Sequence, residues 1–242
     1  MSVKFAIVMA TFCRKNGKTP EYLKRAMDSV MNQTYTNWDL IIVADKYEPR
    51  EELEGILFEY NKKTNNKIIY LYNYIVERDY IENKMNLWTC AGARSMNMGL
   101  NYARQNNYKY YCHLDDDDFW TNEHLEKLAY AYTNFPNCIF SNTKSTFFNS
   151  YLPKDEENIN TIYENNRLPL SRATIHSAFS FRCDIIPFDY FTSLNENVAF
   201  WYSDATMLDC IKDFLSKNKQ YSSIYMPFLT CYHDYEGETL GN

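Results

Sequence analysis

Residues 108–114, Tyr-Lys-Tyr-Tyr-Cys-His-Leu, form an apolar and aromatic run that ends directly in four consecutive aspartates, Asp115 to Asp118. A helical pattern opens a few residues later, near Asn122. An acidic run in a polar tail is ordinary solvated surface. Here a strand delivers carboxylates to its own C-terminal end, which is where open α/β sheets bind ligands. Adjacent carboxylates repel, so several ionised ones at a sheet edge are costly without a cation. Hard divalent cations such as Mg²⁺ and Mn²⁺ take carboxylate oxygens, often together with substrate phosphates. The run points to a metal–phosphate site, with an acidic loop as the plain alternative.

The chain around the run alternates strands and helices. Residues 4–10 are a short continuous apolar run, as expected of a strand buried on both faces. A polar loop, residues 11–19, leads to Pro20 at a favoured first helical position, with Thr19 as the expected N-cap. Leu23, Met27 and Val30 recur at helical spacing. Residues 38–44 read as a second buried strand ending at Asp45, 50–61 as a helix and 68–72 as a third strand. Residues 73–89 have no clean period and read as a long loop, of the kind that often carries function. A helix over 90–105, the strand before the aspartates, a helix over 122–134 and a strand over 139–142 follow. The pattern is α/β: a mostly parallel central sheet with helices on both faces. After about residue 148 the rhythm breaks. Residues 178–182 and 224–227 read as short strands, and 204–215 as an amphipathic helix. No repeat or flexible linker divides the 242 residues, so a single domain is expected, with an irregular C-terminal part.

Aromatics are abundant, with 22 Tyr and 15 Phe, enough to fill a sizeable core. The net charge of −6 argues against a nucleic-acid polymer as partner, which calls for a basic face. It leaves a nucleotide open, because a metal can neutralise phosphates. Seven cysteines stand singly, without a C-x-x-C pair. They read as free thiols in a reducing compartment, not as a zinc site. The N-terminal apolar run is too short for a signal peptide, and no stretch approaches the ~20 apolar residues of a membrane span. The expectation is a soluble cytoplasmic protein, with the cytoplasmic face of a membrane as a further possible location.

Four ordered segments resemble glycosyltransferase family 2. Residues 6–14, Ala-Ile-Val-Met-Ala-Thr-Phe-Cys-Arg, are similar to its opening strand and Thr-Tyr-Asn-Arg type loop. Residues 27–35, Met-Asp-Ser-Val-Met-Asn-Gln-Thr-Tyr, followed by the strand ending at Asp45, match its most specific pattern. Residues 93–99, Ala-Arg-Ser-Met-Asn-Met-Gly, resemble its Ala-Arg-Asn-x-Gly segment, and Leu114 to Asp118 its D-x-D motif. Departures are Cys13, Ala44 and Asn122, and Glu196-Asn197 with Asp204 where many members have a Glu-Asp pair.

The resemblance implies a GT-A fold. Its first half, to about residue 120, would bind the nucleotide sugar, and residues 121–242 the acceptor. It implies an inverting enzyme that uses Mn²⁺ or Mg²⁺ to move a sugar from a nucleotide-diphosphate donor, a UDP-sugar, to a glycan or glycoconjugate acceptor. Donor-binding candidates are Ala10, Thr11, Phe12, Arg14, Asp45, Arg94, Asn97, Asp115 and Asp116. Phe12 would stack on the base, or simply pack in the core. Asp45 would accept the imide N–H of uracil, or cap a turn. Arg94 would hold phosphate or carboxylate by its forked donors, with Asn97 beside it near a helix N-terminus, or form a surface salt bridge. Alternate residues after a strand point the same way, which pairs Asp115 with Asp117 and leaves Asp116 open to a solvated role. Asp117 is the metal candidate, with Asp115 and His233 as further ligands. Asp204, read as the N-cap of the 204–215 helix, is the base candidate, with Glu196 in reserve. Trp201 and His176 are acceptor-side candidates, His176 with a hydrogen-bonded core histidine as its alternative. Two other readings stand beside this one. A sugar-nucleotide pyrophosphorylase would need a Gly-rich first loop, and residues 11–17 hold one Gly. A non-catalytic nucleotide- or glycan-binding module on the same fold is the other.

Overall fold

The computed structural model describes residues 2–148, 150–153, 163–164, 174–192 and 202–234. Glu196, Trp201 and most of the polar stretch 149–173 lie outside the described residues.

Strands β1 (Phe5–Thr11) and β2 (Trp38–Asp45) are buried almost throughout. Side chains alternate across a strand, so each strand feeds two cores. Phe5, Ile7, Met9, Leu40 and Ile42 face one side, where helices α1 (Thr19–Met31), α2 (Arg50–Asn61) and α5 (His124–Asn134) cover the sheet. Ala6, Val8, Ile41 and Val43 face the other, under α4 (Ala93–Gln105) and α6 (Ser203–Lys217). The remaining elements are β3 (Ile68–Asn73), a 3-10 turn Glu77–Asp79, α3 (Lys84–Cys90), β4 (Tyr110–His113), β5 (Phe119–Trp120), β6 (Cys138–Phe147), β7 (Ser150–Leu152), β8 (Tyr163–Glu164), a 3-10 turn His176–Ala178, β9 (Phe179–Arg182) and β10 (Ser222–Tyr232).

The sheet runs in the order β3-β2-β1-β4-β9-β6-β10-β5, with β7 on β6 and β8 on β10. Its longest ladders are parallel: β1 with β2, β2 with β3, and β6 with β10. The antiparallel strands come from where the sequence rhythm breaks. β9 lies antiparallel between β4 and β6, an arrangement that needs no helical crossover. Among the described residues no helix is long and apolar enough to cross a membrane, and the seven cysteines are free.

Four local expectations need correction. Thr19 is not the cap of α1, whose cap position is Lys18. The Thr19 hydroxyl instead ties the preceding loop, donating to the Phe12 carbonyl at 3.0 Å and accepting the Arg14 N–H at 2.8 Å. The helix expected over 90–105 begins at Ala93, because Gly92 takes a left-handed φ of 78° that only glycine adopts cheaply. Much of the loop expected over 73–89 is helical, in the 3-10 turn and α3. The last strand does not stop at Pro227. That residue falls where the β6–β10 register slips between Met226 and Leu229, a bulge that tolerates a missing N–H.

α4 reaches its close seat on β1 and β2 because Gly99 carries no side chain. A Cβ there would overlap the Val8 side chain and lie 3.3 Å from Val43. Gly99→Ala should therefore destabilise by about 1–3 kcal/mol despite alanine's better helix propensity. Urea unfolding of the variant checks this, and an unchanged or higher midpoint would refute the close-packing account.

Candidate functional site

β1 leads towards β2 and β3, whereas β4, its other neighbour, leads towards β9 and β6. Such a reversal opens a crevice beyond the strand ends. The loop after β1 and the acidic run after β4 meet in it. Arg14 Nη1 donates to Asp116 Oδ2 at 2.9 Å, and Nη2 donates to Asp116 Oδ1 at 2.6 Å and to Asp117 Oδ2 at 3.0 Å. The Thr11 hydroxyl donates to Asp116 Oδ2 at 2.6 Å. Burial works against the Arg14 charge, but Asp116 and Asp117 outweigh it and hold the guanidinium protonated.

The run does not alternate as an extended strand would. β4 ends at His113, and the chain turns so that the Asp118 N–H donates to the Asp115 carbonyl at 3.1 Å. Each carboxylate consequently points elsewhere. Asp116, expected as open to a solvated role, is 3% exposed and clamped by Arg14. Asp115 accepts from His113 Nε2 at 2.9 Å and from the Ser177 hydroxyl at 3.3 Å. Asp118 Oδ1 faces His233 Nδ1 at 2.8 Å and accepts the Asp234 N–H at 3.1 Å. Arg25 spans the same region, donating to the Asp117 carbonyl and pairing with Asp234 at 2.5 Å.

These partners set the charge states. Burial would raise the Asp115 pKa, but the His113 imidazole outweighs it and holds the carboxyl well below the usual range. Burial lifts Asp117 far above that range, and the Asp116 and Asp118 carboxylates lift it further. Burial also raises Asp118, against the pull of His233. Burial lowers His233, yet its hydrogen bond to Asp118 carries it up to about 9. Asp118 Oδ2 is buried without a hydrogen-bond partner. Asp117 is thus a carboxyl crowded by like charge, beside a cationic arginine and histidine that do not fully offset it.

At the end of β2, Asp45 is 1% exposed. Its Oδ1 accepts the Ser95 hydroxyl at 2.5 Å, its Oδ2 pairs with Arg78 Nη1 at 2.6 Å, and its carbonyl accepts Arg78 Nη2 at 2.6 Å. Asn73 Nδ2 supports Ser95 at 2.9 Å. The Phe12 ring lies beside both arginines, with Arg78 at 4.3 Å and Arg14 at 4.7 Å from its centre. Ala10 is half-buried on β1.

Arg94 and Asn97 do not present an open helix N-terminus. Glu77 Oε1 accepts the Arg94 N–H at 3.0 Å, so a carboxylate already meets that positive helix end. The Asn97 amide is used on the Tyr190 main chain, by two bonds of 2.7 Å. Both residues line a cleft of about 550 Å³ with Leu71, Asn73 and Tyr102. Asp204 is not the N-cap of α6, a position that falls on Tyr202. It lies in the first turn and accepts the Ala205 N–H at 2.8 Å. Burial raises its pKa, and the Asp115 charge adds to the effect. His176 is buried, stacked on His113 at 3.7 Å and hydrogen-bonded to the Tyr190 hydroxyl at 2.6 Å.

The sequence reading missed Arg78, Ser95, His113 and Ser177. His113 had a usable signal, since it stands two residues before Asp115. Arg78 and Ser177 had none, because only the fold brings them to the crevice.

Comparison with known proteins agrees with this geometry. The model of the family described as "Glycosyl transferase family 2" matches residues 6–187. An uncharacterized glycosyltransferase of Acanthamoeba polyphaga mimivirus is 48% identical over 241 residues, covering 97% of this chain and 95% of the relative. Among solved structures, S. aureus TarS 1-349 in complex with UDP-GlcNAc superposes with a TM-score of 0.65 at 15% identity, over 98% of this chain and 60% of that one. The mannosyltransferase PcManGT from Pyrobaculum calidifontis, in complex with GDP-Man and Mn²⁺, gives a TM-score of 0.57 at 12% identity, over 98% and 59%. The chain thus spans about 60% of the length of these two structures. A GT-A sheet with its acidic run at the switch point, a family match over most of the chain and a near full-length relative lead to one assignment: the chain belongs to glycosyltransferase family 2.

Proposed function

We propose that the protein moves a sugar from a UDP-sugar to a glycan or glycoconjugate hydroxyl, with inversion at the anomeric carbon and with Mn²⁺ or Mg²⁺ as cofactor. The observation that carries this reading is the crowding of Asp117 among Asp116 and Asp118, which Arg14 alone does not relieve. Carboxylate oxygens are the donor type a hard cation takes. Asp117, with Asp115 and with His233 once it gives up its proton, would supply the ligands, and the unpartnered Asp118 Oδ2 is a further oxygen nearby. A cation bound there would offset charge on the departing diphosphate. The complexes of TarS with UDP-GlcNAc and of PcManGT with GDP-Man and Mn²⁺ support the same chemistry for this chain.

The chain's own residues would do the rest. Phe12 would stack on the base. A carboxylate offers about four lone-pair sites, so Asp45 can take an imide N–H while keeping Ser95 and Arg78. Asp115 and Asp116 would serve the donor and Trp201 the acceptor, whereas His176, buried against His113 and Tyr190, is the hydrogen-bonded core histidine expected as its alternative. Asp204, with its pKa raised by burial, would take the acceptor proton as the new C–O bond forms and the bond to diphosphate breaks.

UDP should raise the melting temperature more with Mn²⁺ or Mg²⁺ than with a chelator. Asp117→Asn should abolish that difference. Equal UDP stabilisation in chelator would refute the metal role.

Uridine diphosphate should bind better than cytidine diphosphate, whose base lacks the imide N–H. Asp45→Ala should erode the preference, which a hydrogen bond to a charged acceptor sets at about 1.5–3 kcal/mol. Calorimetry that finds the two nucleotides equal would remove Asp45 from base recognition.

Asp204→Asn keeps shape but cannot ionise. Turnover should fall by about 10²-fold or more while donor affinity and melting temperature hold. Near-normal transfer by this variant would exclude Asp204 and turn attention to Glu196.

A further inference from the structure

A chain of polar groups, buried beyond its first member, runs from α4 to the end of β4 and stops at Asp115. Asn97 fixes the Tyr190 main chain by its two amide bonds of 2.7 Å. The Tyr190 hydroxyl meets His176 Nε2 at 2.6 Å. The His176 ring lies parallel to His113, with centroids 3.7 Å apart and planes 8° from parallel. His113 Nε2 lies 2.9 Å from Asp115 Oδ1, and Ser177, the neighbour of His176, donates to Oδ2 at 3.3 Å. Tyr190, His176, His113 and Ser177 are buried and Asn97 is half-buried, whereas the Asp115 side chain at the end is 40% exposed.

Two plainer readings fail on the geometry. Ligand atoms of His113, Asp115 and His176 lie within 4.8 Å of one another, which suggests a metal. Parallel stacked rings hold their lone pairs in separate planes, however, so an ion in the plane of one imidazole lies outside the plane of the other. Plain core packing would be served better by phenylalanines, since buried polar groups cost stability unless each is satisfied. Here the links are satisfied in series, and the last one grips a carboxylate that faces the crevice.

We propose that Tyr190, His176 and His113 are positioning residues that hold the Asp115 carboxylate in one orientation for the nucleotide-sugar donor, with Asn97 as the anchor. Two donors on different oxygens stop the carboxylate from rotating. The stack fixes the His113 ring that supplies one of them, and Tyr190 fixes the stack. A neutral His176 suits this arrangement, and burial lowers its pKa well below the ordinary value, with His113 adding to the effect. The donor's identity rests on the function proposed above; the orientation of Asp115 does not.

The test is a double-mutant cycle read by UDP calorimetry in Mn²⁺. His176→Ala should weaken UDP binding by about fivefold, a coupling typical of residues in one network, and Tyr190→Phe should weaken it by about twofold. Both losses should vanish when Asp115 is already Asn. Equal losses in the two backgrounds would show a structural role only and overturn the proposal. A crystal structure of His176→Ala provides a ligand-free arm, with Tyr190→Phe in its place if that variant does not fold. Asp115 should then occupy more than one orientation, and a single retained orientation overturns the proposal. If the wild type binds no UDP, the donor reading falls and the crystallographic arm alone decides the positioning claim.

Discussion

The guanidinium of Arg14 is the constraint on which the crevice depends. Two carboxylates, Asp116 and Asp117, converge on it from the turn after β4. Breaking a buried pair of this kind leaves an uncompensated charge, at a cost of about 3–5 kcal/mol. Arg14 belongs to the loop after β1, so the pair also sets the distance between two strand ends. Thr19 and Thr11 fix that loop from either side, one through the Phe12 carbonyl and the other through Asp116 itself. The position of Phe12 follows, because it stands between two residues already committed.

The acidic run attracts positive charge from several elements. Arg14 comes from the first loop, Arg25 from α1 and His233 from the residues after β10. A run of like charges therefore acts as a hub that draws both ends of the described chain to one place. On the neighbouring side, Arg78 and Ser95 bind Asp45 directly and Asn73 supports Ser95. The sheet supplies the frame for both. Parallel strands put their C-terminal ends on one edge, and the opposite directions taken from β1 and β4 leave that edge open.

What the sequence made legible follows from period and punctuation. The two-face burial of β1 and β2 was readable because continuous apolar runs leave few other folds. The helices α1, α2 and α5 were readable from their spacing. Where the reading slipped, a contact distant in sequence had overruled a local rule. Thr19 looked like a cap until the Phe12 carbonyl claimed its hydroxyl. Pro227 looked like a strand end, but β6 tolerates a slip there. The helix end at Arg94 and Asn97 looked like an open anion site, but Glu77 takes the Arg94 main-chain N–H and Tyr190 the Asn97 amide. The antiparallel place of β9 had no local signal, since strand direction depends on the route of residues far from it. Local pattern thus found the scaffold and the acidic run, while the pairing that gives each aspartate its state came from tertiary structure.

That pairing explains how four adjacent carboxylates can coexist. Had the run stayed extended, Asp115 and Asp117 would share one face and Asp116 and Asp118 the other, each pair repelling at close range. The turn closed by the Asp118 N–H separates them instead. Asp115 is answered by His113, Asp116 by Arg14 and Asp118 by His233. Asp117 has only a share in Arg14, whose shorter bonds go to Asp116. Its charge is the one least compensated among the described residues, and a cationic histidine is committed to the next residue of the run, Asp118. A site arranged in this way is polarised before any ligand arrives: three carboxylates are fixed by the protein, and the fourth is held where a cation would gain most.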